Sequence, residues 1–156
     1  SLALLNANEF DCIADDFVPI DNQKNIYTYP AAISVKKSGV KSLLPFFPEL
    51  EKSNEFLFKK LNSTVHFLPV KNNYALKSKC KALIFIKYDT DIELQFNSIS
   101  KIEAFQKLVP DSWISRIEEN ATIFLDWFID LPCYQLTYSD NDKMINTVSK
   151  IFNNEL

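Results

Sequence analysis

The stretch FDCIADDFVPID, residues 10–21, puts a short apolar run directly before two adjacent aspartates. The run Phe10–Ala14 predicts a buried strand, with Asp15 and Asp16 at its C-terminal end. Open α/β folds bind ligands at the carboxyl ends of their strands, so the acid pair is a candidate site. Two neighbouring carboxylates suit phosphoryl transfer, because one can hold Mg²⁺ while the other accepts the proton of an acceptor hydroxyl.

Helices and strands alternate on either side of this stretch. The start of the chain, LALLNAN at 2–8, predicts the tail of a helix, and a hairpin follows with strands at 17–20 and 26–29 and a polar turn between them. Further strands are predicted at 31–35 (opened by Pro30), 65–70, 82–88 and 133–138. A short helical pattern covers 54–61, and longer helices are predicted at 98–108 (capped by Ser100), 113–128 (capped by Asp111 or Ser112) and 141–152 (capped by Asp140). This alternation predicts one α/β domain over residues 1–156, a mixed β-sheet with flanking helices.

Composition excludes several classes of function. A net charge of −3 provides no basic excess for general binding to nucleic acid. The three cysteines are far apart and His66 is the only histidine, so a zinc site lacks ligands, and His66 is predicted to be structural. No apolar run reaches the roughly 20 residues of a membrane span, and unpaired thiols suit a reducing compartment, so a cytoplasmic protein is predicted.

Four segments, taken in order, resemble the kinase-like branch of the HPr kinase/phosphorylase family. They are FDCIADDFVPID, YTYPAAISVKKSG at 27–39, ALIFIKYD at 82–89 and LPCYQLTYSDNDKMINTVSKIF at 131–152. In that family a glycine-rich phosphate-binding loop precedes a helix, and a strand then ends in a pair of aspartates. The resemblance therefore implies a P-loop kinase core of the HPr kinase/phosphoenolpyruvate carboxykinase type.

The same resemblance implies roles for individual residues. Asp15 and Asp16 would share the duties of catalytic base and Mg²⁺ ligand, with the division between them open. Lys36 and Lys37 fall in the family's lysine-rich turn and would contact the phosphates of ATP or another nucleotide, and Lys87 is a weaker candidate for the same contact. Ser1 would be the edge of the phosphate loop. The acceptor would be a serine-like hydroxyl of a peptide, a protein or a small molecule.

The chain departs from the family at its most important motif. Gly39 is the only glycine, so no phosphate-binding loop can form within these residues, and most of the electrostatic stabilisation of phosphoryl transfer would be missing. The expectation is therefore a kinase core that lacks its phosphate loop, the C-terminal part of a longer chain, and inactive alone.

Two alternatives remain open. One is a catalytically inactive relative that binds a peptide or protein through its aromatic surface, since 13 Phe, 6 Tyr and 2 Trp require a core or an interface. This aromatic content also leaves room for a homo-oligomer. The other is a structural α/β domain in which the acid pair only caps a turn. The kinase hypothesis further predicts that Lys36 or Lys37 lines a cavity beside the two aspartates.

Overall fold

A computed structural model describes residues 1–29, 31–58, 63–70, 76–114 and 116–153. Over these residues the protein is a mixed α/β structure with three small sheets and flanking helices. The chain divides into two compact units, the first formed by Ser1–Pro19 and Tyr27–Leu76 and the second by Ile20–Ile26 and Lys77–Leu156. The single domain expected over 1–156 stays a prediction.

The first unit is built around a three-stranded antiparallel sheet. It begins with helix α1 (Leu2–Ala7), and its sheet has the order β2 (Ile33–Lys36), β4 (Ser63–Leu68), β3 (Phe56–Phe58). Helix α2 (Lys37–Leu43) directly follows β2, and a 3₁₀ turn at Pro48–Lys52 precedes β3. Neither α1 nor α2 has a side-chain cap at its N-terminus.

The β2–β4 part of one face of this sheet is buried, and the other face carries exposed aromatic rings. Ile33 lies opposite Leu68 in the β2–β4 register, and both side chains are buried. On the other face Phe56 lies opposite Val65, and its ring contacts that of Phe67 at 5.3 Å between centroids. Strand β3 is the edge of the sheet, and its three apolar side chains, on both faces, are exposed.

The second unit contains a mixed three-stranded sheet. Strand β8 (Cys133–Tyr138) lies in the middle, parallel to β6 (Leu83–Tyr88) and antiparallel to β7 (Leu94–Ser98). Three helices accompany this sheet, and they are α3 (Lys101–Leu108), α4 (Glu118–Ile129) and α5 (Asn141–Phe152). Strands β1 (Asn25–Tyr27) and β5 (Lys77–Lys79) pair in a separate two-stranded sheet.

An aromatic core joins this sheet to α3 and α4. Ala104 of α3, Trp127 and Phe128 of α4, and Cys133 of β8 are all buried in one cluster with Leu131. Leu83 and Phe85 of β6 pack against the same cluster, as expected for residues on one face of a strand. Parallel strands need a long crossover, and the β6–β8 connection supplies it through β7, α3 and α4.

The structure confirms the longer elements predicted from the sequence. The strands at 65–70, 82–88 and 133–138 correspond to β4, β6 and β8, and the strand at 31–35 corresponds to β2. Ser100 caps α3 by accepting a hydrogen bond from the Glu103 N–H, and Asp140 caps α5 in the same way from Lys143. Pro30, predicted to open the β2 stretch, lies outside the described residues.

The polar turn of the predicted hairpin is confirmed, but 17–20 forms no strand beyond one bridge at Ile20. Ile20 and Ile26 form an antiparallel bridge, and the Asp21 side chain accepts hydrogen bonds from the backbone of Gln23 and Asn25 at 2.8 and 2.9 Å. An aspartate that holds the backbone two residues ahead is a common way to close a turn.

The strand predicted at Phe10–Ala14 is wrong. These residues are irregular, because their carbonyls take isolated partners in place of a ladder. The Phe10 carbonyl accepts from the Asn6 side chain at 3.0 Å, and the Ile13 carbonyl accepts from the Tyr29 N–H at 2.8 Å. Asp15 and Asp16 consequently form a bend and do not end a strand.

Three further local predictions are also corrected. The lysine-rich turn at 36–39 is the end of β2 and the start of α2. Residues 56–58 of the predicted helix at 54–61 form β3, because they pair with β4, while 59–61 lie outside the described residues. Helix α4 begins at Glu118 and not near Asp111, because Val109–Asp111 continues from α3 as a 3₁₀ turn. Within the described ranges, no helix is long and apolar enough to cross a membrane.

Candidate functional site

The acid pair lies in the first unit, beside strand β2. The Asp15 Oδ2 accepts a hydrogen bond of 2.8 Å from the Ser34 N–H. Because β4 pairs with β2 on its other side, Asp15 occupies the outer edge of β2. The Asp15 carboxylate is half-buried, whereas Asp16 is exposed. One acid of the pair is thus fixed by backbone and the other is open to solvent.

Asp15 also lies close to the start of helix α1. Burial lowers the pKa of the Ser1 amino group, and the negative charge of Asp15 partly opposes this shift. The same carboxylate adds to the effect of burial in raising the pKa of the Cys12 thiol. Asp15, Ser1 and Cys12 are therefore near enough to interact electrostatically, which brings together two of the predicted site residues.

The two carboxylates are oxygen donors of the type that magnesium prefers. Mg²⁺ prefers oxygen ligands and is usually held by one or two protein carboxylates, the remaining positions going to water and substrate phosphates. Asp15 and Asp16 can supply those oxygens. In the part of the chain that the structure describes, no group of three or more His, Cys, Asp and Glu could hold a metal by itself. A metal held here would depend on a ligand such as a phosphate for its remaining contacts.

The predicted lysines have different surroundings. Lys36 is the last residue of β2, two positions beyond Ser34 on the same face of the strand, and its side chain is exposed. Lys37 begins α2 and pairs with Glu55 at 3.3 Å, although its side chain remains 69% exposed. Of the two lysines, Lys36 is the closer in sequence to Ser34, whose N–H holds Asp15.

Lys87 belongs to the second unit. Its ammonium lies 2.7 Å from the Asp89 carboxylate, and this hydrogen bond lowers the pKa of Asp89. Both residues lie at the C-terminal end of β6, with one residue between them in the sequence. The nucleotide-binding roles of Lys36, Lys37, Lys87 and Ser1 stay predictions.

His66 contacts two polar residues of the first unit, and the sequence did not indicate this cluster. The ring is buried, with Nδ1 2.6 Å from the Ser53 hydroxyl and Nε2 3.8 Å from the Glu55 carboxylate. Ser53 also donates to the Leu50 carbonyl at 3.0 Å, so its hydroxyl links the His66 ring to the backbone before β3. The arrangement satisfies a buried histidine, as predicted.

Sequence reasoning missed Ser34, Ser53 and Glu55. Ser34 acts through its backbone N–H, which every non-proline residue has, so no sequence signal marks it. Ser53 and Glu55 reach His66 only because the β3–β4 pairing brings residues before β3 next to residues of β4. The predictable signal was limited to the acid pair and the neighbouring lysines.

Comparisons with known proteins return no relative. No protein-family model, curated protein or solved structure matches the chain.

Proposed function

We propose that this chain is the core of a nucleotide- and Mg²⁺-dependent kinase of the P-loop type, acting on a serine-like hydroxyl. In such enzymes a hydroxyl of the phosphate loop and a nearby aspartate hold Mg²⁺ together, and the loop leads directly into a helix. The observation that carries the proposal is that the Ser34 N–H fixes Asp15 at 2.8 Å, with the carboxylate near enough to Ser1, where α1 begins, to act on it electrostatically. A loop joined to Ser1 would meet Asp15 at that position.

The two acids suit different duties in this mechanism. Asp15 is held by the Ser34 N–H, so its remaining oxygen has a defined direction and suits Mg²⁺. Asp16 is exposed and suits the acceptance of a proton from an incoming hydroxyl. Lys36, two residues beyond Ser34 on the same strand, is the cation that would stabilise phosphate charge. Mg²⁺, when bound, would neutralise charge on the nucleotide phosphates.

The test uses the chain together with the residues that precede Ser1 in its gene. We expect Mg²⁺-dependent turnover of ATP, measured by release of ADP, and a loss of about 10²- to 10⁴-fold in Asp16→Asn. Because Asp16 is exposed, its substitution should leave the thermal unfolding temperature within about 1 °C of the parent. A loss of turnover without a loss of stability then identifies a chemical role.

Asp11→Asn is the matched control, since Asp11 is an exposed aspartate in the same segment. Its turnover should equal that of the parent. If Asp16→Asn also turns over nucleotide normally, the acid pair is only part of a turn and the kinase proposal is wrong.

A second function is favoured by the exposed face of the first sheet. Phe56, Phe58 and Phe67 are 49%, 51% and 41% exposed, which is a large aromatic surface for three strands. A kinase relative without catalytic activity would use this face to bind an apolar peptide, beside the edge of β3 with which no described strand pairs. Absence of ³¹P line broadening when Mg·ATP is added to the longer chain would favour this function over the kinase.

A further inference from the structure

A groove runs between α3 and α4 in the second unit. Its residues are distant in the sequence from Asp15, Asp16 and Lys36. Its volume is about 560 Å³. Both helices contribute to its walls, and the residues that matter here are Lys101, Ile102, Leu125, Asp126 and Ile129.

The floor and walls of the groove are apolar and open to solvent. Ile102 is 73% exposed, Ile129 58% and Leu125 47%. Leu125 and Ile129 are one helical turn apart on α4, so they form a continuous stripe facing the same way. Three large apolar side chains are thus exposed together in one groove, which makes this surface a candidate interaction site.

Two charges of opposite sign line the same groove. Lys101 donates to the Leu131 carbonyl and lies 5.6 Å from the centroid of the Phe128 ring. Among the described residues, no carboxylate lies within 4.0 Å of its ammonium.

The Asp126 carboxylate likewise has no ion-pair partner among the described residues. Lys24 donates to its main-chain oxygen at 2.9 Å but pairs with the side chain of Asp130. Over the described ranges, the Asp126 carboxylate has no cationic partner within 4.0 Å. A molecule that covers the groove removes water from both charges, so an acid opposite Lys101 and a base opposite Asp126 favour its binding.

We infer that the groove is a two-fold interface between two copies of this chain. In a two-fold interface residue i of one copy contacts residue j of the other, and j contacts i in return. The groove carries one cation and one anion around an apolar centre, so a second copy supplies both favourable charges from the same two positions. Lys101 of each copy then lies opposite Asp126 of the other, with Ile102, Leu125 and Ile129 packed between them. This inference does not depend on the kinase proposal.

Sedimentation equilibrium of the 156-residue chain tests the interface. We expect a reversible dimer between low micromolar and about 0.5 mM protein. Lys101→Asp and Asp126→Lys should each weaken dimerisation at least about tenfold, because each places like charges opposite one another. The double variant K101D/D126K should recover to within about threefold of the parent, since it restores two opposite-charge pairs. Ile129→Asp should weaken the dimer by about tenfold or more.

Lys107→Asp is the matched control, because Lys107 lies on the same helix but pairs with Glu103 at 3.7 Å and does not line the groove. It should dimerise like the parent. Circular dichroism melts of each variant establish that all are folded. The inference is overturned by a parent that stays monomeric over the whole range, which would leave the groove to a different protein. It is equally overturned by a dimer that Ile129→Asp does not weaken, or by single charge variants that the double variant fails to rescue.

Discussion

The two units of the chain differ in how many of their described helices have side-chain caps, although α4 of the second unit begins without one, as do both helices of the first. In the second unit, α3 and α5 have 8 and 12 residues and begin at Ser100 and Asp140, whose side chains cap them. In the first unit, α1 and α2 have 6 and 7 residues and no side-chain cap. Isolated helices this short are unstable, so α1 and α2 depend on packing against the rest of their unit. Local sequence signals therefore specify the second unit more directly than the first.

The largest expected effect comes from core leucines, one in each unit. Leu136 of β8 is 0% exposed and Leu68 of β4 is 1% exposed, so truncation of either to alanine should cost about 2–5 kcal/mol of unfolding free energy. Both tryptophans, Trp113 and Trp127, lie in the second unit, so tryptophan fluorescence in urea reports on that unit.

Leu136→Ala should shift the fluorescence transition to lower urea. Leu68→Ala should shift the transition seen by far-ultraviolet circular dichroism more than the one seen by fluorescence. Identical shifts by both probes in both variants would show that the two units unfold as one.

A smaller loss is expected from the polar cluster of the first unit. Ser53→Ala removes the hydroxyl 2.6 Å from the buried His66 ring, leaving the ring nitrogen without its partner. This should cost about 1–3 kcal/mol in urea unfolding followed by circular dichroism. Ser38→Ala, at an exposed position of α2, is the control and should remain close to the parent. An unchanged Ser53→Ala variant would mean that water or another group satisfies His66.

Removing the side-chain cap of α3 tests whether capping stabilises the helices of the second unit. Ser100→Ala removes the acceptor for the Glu103 N–H and should destabilise the second unit by about 0.5–2 kcal/mol, measured by tryptophan fluorescence in urea. Ser38→Ala, in the first turn of α2, should cost less in urea unfolding followed by circular dichroism, because α2 has no side-chain capping hydrogen bond. Equal losses in the two variants would contradict the distinction drawn between capped and packed helices.

The smallest effect concerns the thiols. Burial raises the pKa of Cys12 in the first unit and of Cys80 in the second, and the nearby Asp15 carboxylate raises the pKa of Cys12 further. A raised pKa in the folded state stabilises the protein below the ordinary value of 9.0, and this contribution is lost as the pH rises through the folded pKa.

Asp15→Asn should lower the pKa of Cys12 and leave that of Cys80 unchanged. The pH dependence of the reaction with a thiol reagent measures this, in variants that keep one cysteine and replace the others by serine. A Cys12 profile that Asp15→Asn does not alter would show that the carboxylate is not close to the thiol.

The predictable elements were those with strong local patterns. The run ALIFIKY and the caps Ser100 and Asp140 each contain the information for their own element, and β6, α3 and α5 follow it. The failures lie where pairing between distant segments decides the structure. Phe10–Ala14 has the composition of a strand but takes isolated partners, and Phe56–Phe58 joins β4 despite a helical pattern.

The candidate site was predictable only in its residue types. Two adjacent aspartates are visible in the sequence, but the Ser34 N–H that orients Asp15 is 19 residues away and belongs to a strand edge. The pairing of Lys37 with Glu55 depends on the same kind of distant contact. Sequence can propose the chemistry of such a site, whereas the fold decides which carboxylate oxygen is left available.

The open edge of β3 has a consequence for the behaviour of the protein in concentrated solution. A Phe-Leu-Phe strand with backbone groups on one side unpaired by any described strand is a template on which other chains can add as strands. In the sequence, Glu55 precedes it and Lys59 and Lys60 follow it. Charged residues that flank an apolar strand act as gatekeepers, because stacking identical chains in register would bring like charges together. Neutralising these flanks should therefore increase the tendency of the protein to form fibrils.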